Sequence, residues 1–177
     1  MKNVVVIGGG TGTYTVLSGL KERKYDLTAL LTMVDDGGSN RVLRDEFGLL
    51  PTSGVRLAMV ALSSQPSLLR ELFMYRYSKG TGLAGMTFGN LFLAAVTDIV
   101  GSQEKAIEQT CEILSVNGKV LPISYEDVRL VAHYENGLEV VGEHYIDEPE
   151  HDGKLHIERL YTRPEASISD HAKKAIM

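Results

Sequence analysis

The sequence has a single cysteine, Cys111, among 177 residues. An internal disulfide and any zinc site built from several cysteines are therefore excluded, which suits a reducing compartment. Long hydrophobic runs are also missing. An 18-residue uncharged stretch, 80–97, as long as any in the chain, holds four glycines, three threonines and an asparagine, leaving ten apolar residues where a membrane span needs about 20. At the start only Val4 to Ile7 are apolar in succession, too few for the core of a signal peptide. The expectation is a cytoplasmic protein with no membrane insertion. Positive charge is not in excess: 18 basic against 23 acidic residues give −5, which argues against a nucleic-acid partner. The five histidines show no His-x-x-x-His spacing, and they read as strand-surface or loop residues. No Gly-x-Ser-x-Gly elbow occurs, and Cys111 sits mid-helix without a local basic partner, so it reads as core.

What is present is globular: 44% hydrophobic and 23% charged residues. Glycine comes in blocks. Val4 to Ile7 is a β-branched run typical of a strand buried on both faces, Gly8 to Thr13 must turn, and 14–24 has Val16, Leu17 and Leu20 at helical spacing. A second buried strand at 27–34 completes a βαβ unit with a parallel pair. Helices are expected over 40–47, 55–62, 67–77 and 103–116, with 48–54 as a turn. The helix over 87–100 is apolar on nearly every side and reads as buried. After Gly118 the period becomes that of strands, at 119–124, 128–135, 138–146 and 156–162, with Asn136-Gly137 as a hairpin turn. A helix over 167–177 follows.

The fold class expected is α/β: a Rossmann-like three-layer α/β/α domain over 1–177 with a small antiparallel insertion around 126–163. With only three candidate parallel strands, the sheet reads as incomplete at its C-terminal end, or as needing a partner.

Two glycine-rich loops carry the chemistry. Gly8, Gly9, Gly10, Thr11, Gly12 and Thr13 lie between strand and helix, where glycines admit a phosphate and helix-start N–H groups favour an anion. The spacing departs from the dinucleotide fingerprint at Thr13, and no Lys-Ser/Thr follows as a Walker loop requires. The plainer alternative is a tight turn. Asp35, Asp36, Gly37, Gly38, Ser39 and Asn40 end the second strand. There a carboxylate takes a ribose hydroxyl pair, or two hold magnesium beside a phosphate, or the segment is simply a turn with Ser39 as helix cap. Arg41 and Arg44 share a helix face and, with Arg56, are candidates to grip phosphate. Gly85 to Asn90 offers a hydroxyl, an amide and helix-start N–H groups for a pocket floor.

Val-Val-Ile-Gly-Gly-Gly-Thr-Gly, Asp-Asp-Gly-Gly-Ser with Leu43-Arg44, Gly-Asn-Leu at 89–91 and Gly-Lys-Val-Leu-Pro at 118–122 occur in the order of one family. From residue 2 to about 165 the chain resembles the YvcK-type gluconeogenesis factors, relatives of the CofD 2-phospho-L-lactate transferases. The resemblance implies a non-catalytic protein that binds UDP-sugars such as UDP-N-acetylglucosamine and is linked to gluconeogenic growth, cell shape and cell-wall synthesis. Its loop residues map onto Gly8 to Thr13, Asp35 to Asn40, Arg44, Arg56 and Asn90. The alternative it implies is a magnesium-dependent transferase acting on a deazaflavin precursor; a plain dinucleotide-binding module is a third. The family has Gly-Asp-Ile-Arg where this chain has Ser53-Gly54-Val55-Arg56, and Gly-His where it has Gly85-Met86. The family's C-terminal half, with part of the ligand pocket, would lie beyond Met177, so a homo-oligomer or a complementing C-terminal half is the partner expected.

Overall fold

Parallel crossovers build the main sheet. The computed structural model describes residues 1–151 and 153–177. Strand β1 (Lys2–Gly8), helix α1 (Thr11–Lys21) and strand β2 (Tyr25–Leu31) form the expected βαβ unit, with Val5 opposite Thr28 and Ile7 opposite Leu30. Helices α2 (Gly38–Phe47), α3 (Ser53–Leu62), α4 (Ser67–Met74), α5 (Phe88–Val100) and α6 (Gln103–Ile113) lead to β3 (Lys119–Pro122), parallel to β2 with Lys119 opposite Thr28. The strand order is β1-β2-β3.

Strand alternation sorts the faces. Val4, Val6, Leu27, Ala29, Leu31 and Val120 pack with Leu17 of α1 and with Val55 and Met59 of α3. Asn3, Val5, Thr28, Lys119 and Leu121 line the opposite face, in a cleft of about 540 Å³ under α8 (Asp170–Ile176). The insertion is a second sheet of order β5-β4-β6, built from β4 (Arg129–Tyr134), β5 (Glu139–Val141) and β6 (Ile157–Arg163), with the short helix α7 (Glu143–Asp147) after β5. Asn136-Gly137 makes the expected hairpin: Gly137 has φ +84°, and the Tyr134 N–H donates to the Leu138 carbonyl at 2.9 Å.

Several expectations are corrected. β1 is not buried on both faces. It pairs only with β2, so its outer edge is open, and Ile7 is 59% exposed. α5 is not a buried helix either: only Gly89, Asn90 and Leu93 are buried, and Ile99 is 81% exposed. Helices α2 and α3 start two residues earlier than periodicity suggests, which shortens the turn expected at 48–54. α4 stops at Met74 because the next residues turn extended and Arg76 bridges to Thr87. α6 ends at Ile113, where Ser115 adopts φ +46° and Val116 bridges to Ser63. The strand expected over 138–146 lasts three residues, because Gly142 at φ +107° ends it and α7 follows. Among the described residues no helix is long and apolar enough to cross a membrane.

Candidate functional site

Four helices begin at one end of the main sheet, beyond the carboxyl ends of its strands. α1 starts after the Gly8–Gly10 loop, with Gly10 at its N-cap and no side-chain cap. The loop is packed from two sides. A Cβ on Gly8 would overlap Thr13 Oγ1, and one on Gly9 would lie 2.6 Å from Thr32 Oγ1, whereas Gly10 and Gly12 have open space beside them. The Gly9 carbonyl rests on α3: a Cβ on Gly54 would overlap its oxygen. The glycine at 54, where the family resemblance expects aspartate, is thus the residue that lets α1's loop and α3 touch.

Hydrogen bonds tie the other starts together. Asn40 Oδ1 accepts from the Thr52 N–H at 3.3 Å and from Ser53 Oγ at 3.0 Å, joining α2 to α3. Asn90 Nδ2 donates to Ser39 Oγ at 3.2 Å and to Ser53 Oγ at 3.3 Å, and its Oδ1 accepts from Arg56 Nε at 3.0 Å. Asn90 is fully buried, so α5 is pinned to both neighbours from inside. Of the four helices only α5 has a side-chain cap, from Thr87. Each helix start carries about half a positive charge, so three uncapped starts in one place make an electropositive pole.

The charged candidates separate. Asp35 is half-buried and gives Oδ1 to the Gly37 N–H at 3.0 Å. Asp36 is 5% exposed with both oxygens engaged: Oδ1 accepts from the His144 N–H at 3.0 Å, and Oδ2 from Arg129 Nη1 at 3.3 Å. Arg41 is exposed while the Arg44 side chain is 4% exposed, so the expected shared grip does not form. Arg44 Nε lies 3.3 Å from Asp127 Oδ1, and Nη2 donates to the Val128 carbonyl at 3.4 Å. Burial, then Arg129, lowers the pKa of Arg44. Arg56 is buried among Asn90, the Phe73 carbonyl (3.3 Å) and Met74 Sδ (2.9 Å), and burial followed by Arg76 brings its pKa down to about 10.

The gathered residues are therefore Gly8 to Thr13, Gly37 to Asn40, Ser53, Arg56 and Asn90; Asp36 and Arg44 face the insertion instead. Sequence reasoning missed Thr52, Ser53, Asp127, Arg129, Gly142 and His144. A glycine inside a strand pattern, as at 142, was the one local signal for the last of these contacts. His144 lies on α7 and His171 on α8, not on strand surfaces or in loops. Met86 is buried at the loop before α5. As for magnesium, Asp36 does not fit it, since both its oxygens are engaged, and no group of three His, Cys, Asp or Glu residues among those described could hold a metal. Asp35 retains one oxygen beside the pole, enough for an ion that takes its other ligands from phosphates and water.

A parallel sheet with helix starts gathered beyond its carboxyl edge defines a Rossmann-like α/β domain. The chain belongs to the CofD family, whose description, 2-phospho-L-lactate transferase CofD, matches residues 4–177. It is 47% identical over 152 residues to a putative gluconeogenesis factor of Nostoc sp., covering 86% of this chain and 33% of that protein. It is 41% identical over 162 residues to the gluconeogenesis factor of Bacillus subtilis, covering 92% and 50%. A crystal structure of a UPF0052 family protein from Bacillus halodurans superposes with a TM-score of 0.92 at 39% identity, covering 99% of this chain and 56% of that one. The chain thus spans a third to a half of the curated relatives named here.

Proposed function

We propose that this chain is a cytoplasmic, nucleotide-sugar-binding regulatory protein of the gluconeogenesis-factor type, linked to carbon metabolism, cell shape and cell-wall synthesis, with a UDP-sugar such as UDP-N-acetylglucosamine as ligand. The observation that carries the reading is the meeting of three uncapped helix starts, α1, α2 and α3, beyond the strand ends. The N–H groups of Thr11, Gly12 and Thr13, together with those after Gly37, hold the diphosphate. Asp35 takes a ribose hydroxyl or a magnesium ion that neutralises phosphate charge. Arg56 supports the site through its charge and through Asn90 rather than by direct contact. The open edge of β1 calls for a further strand, from a second copy or a complementing C-terminal half, to close the crevice on its other side. Isothermal titration of the chain with UDP-N-acetylglucosamine and with NAD tests the ligand: heat with the sugar nucleotide alone is expected, and affinity for NAD in its place overturns the assignment.

The second reading, a magnesium-dependent transferase, is favoured by the family description. It is the weaker one, because neither Gly54 nor Met86 offers the carboxylate or imidazole that acid–base work requires. Magnesium-dependent turnover of a deazaflavin precursor would establish it.

A further inference from the structure

The segment from the β2–α2 loop into α2 is bolted to the insertion at two points, one in the loop and one on the helix. At the first, both Asp36 oxygens leave their own segment, one for the His144 N–H at the start of α7 and one for Arg129 on β4. Gly142 lies against the same carboxylate. A Cβ there would stand 2.9 Å from Asp36 Oδ2, and φ +107° already favours glycine. At the second, Arg44 of α2 meets Asp127 and the Val128 carbonyl, just ahead of β4. A carboxylate as deeply buried as Asp36 is costly to leave unpaired, so loop and insertion hold one relative arrangement while its two contacts are made; the Arg44 contact is the looser one, since its Nε and Nη1 make no hydrogen bond among the described residues.

We infer that Asp36 is a positioning residue that makes the antiparallel insertion part of the ligand site, so that occupation of the α2 start at 37–40 is felt at β5 and α7. A ligand drawing on the N–H groups after Gly37 pulls on the residue next to Asp36, and the carboxylate hands that displacement to the His144 amide and to Arg129. The insertion is then the element through which a non-catalytic binder reports its ligand state. The relay rests on the nucleotide-sugar reading; the bolt does not.

Hydrogen exchange of the amides over 142–147 separates the two. In the free chain, Asp36→Asn and, from the more exposed end, Arg129→Gln are each expected to speed exchange there about tenfold or more, with α1 and α3 unchanged. Unaltered exchange in both variants overturns the bolt. In the wild type, UDP-N-acetylglucosamine is expected to slow exchange over 142–147, and in Asp36→Asn to lose that effect while still binding. Bound ligand with no change at 142–147 overturns the relay. Abolished binding in Asp36→Asn with unaltered exchange would make Asp36 a direct ligand contact instead. Absence of binding by the wild type defeats the nucleotide-sugar reading and the relay together, and leaves the bolt to be decided by the free-chain comparison.

Discussion

Asn90 carries more of the site than its size suggests. Fully buried, it satisfies Ser39, Ser53 and Arg56 at once. Asn90→Ala is expected to cost about 2–3 kcal/mol in urea unfolding, since a buried hydrogen bond to a charged group is lost and Arg56 Nε is stranded; a cost near zero would mean the network is not formed. Gly54 makes a different test. Gly54→Asp introduces the residue that the family resemblance leads one to expect, yet its Cβ overlaps the Gly9 carbonyl, so a loss of about 1–3 kcal/mol is expected in the same measurement. Cys111 should be inert. Burial, then Glu108 and Glu112, pushes its thiol pKa up to about 12, so the native chain at pH 8 should react with a thiol reagent far more slowly than the unfolded chain. Comparable rates would contradict its placement.

At the scale of elements, strands and turns were legible where local chemistry decides them. β1 follows from its β-branched run, β2 from an apolar one, and the Asn136-Gly137 hairpin from a glycine that tolerates positive φ. What failed depended on neighbours distant in sequence. The apolar composition of α5 suggests burial on all sides, but α6 and α4 cover only part of it. The strand expected over 138–146 is cut at Gly142, where φ is +107° and the carboxylate of Asp36, over a hundred residues earlier, lies against the glycine. The two glycine loops were legible as a candidate site; the inward commitment of Asp36 and Arg44 was not, since both are settled by the insertion. α5 yields a paired prediction. Leu93→Ala should cost about 2–5 kcal/mol, while Ile99→Ser should stay within about 0.5 kcal/mol, both read from denaturant midpoints. Equal costs would mean that α5 is covered on both sides.

At the scale of the whole molecule, one of the main sheet's two edges is the apolar strand β1, and its carboxyl end leads into the candidate site. Pairing through β1 predicts a solution mass above 19.4 kDa by light scattering, reduced to that of one chain by Ile7→Lys. A cooperative monomer of 19.4 kDa would contradict pairing through β1. In the binding mode proposed here helix starts, rather than side-chain charges, hold the ligand, and amide chemical shifts read that contact. Titrating UDP-N-acetylglucosamine into the nitrogen-15-labelled chain should move the amide signals of Gly10, Thr11, Gly12 and Gly38 first and furthest. Saturable shifts confined to other parts of the chain, or none at all, would contradict it.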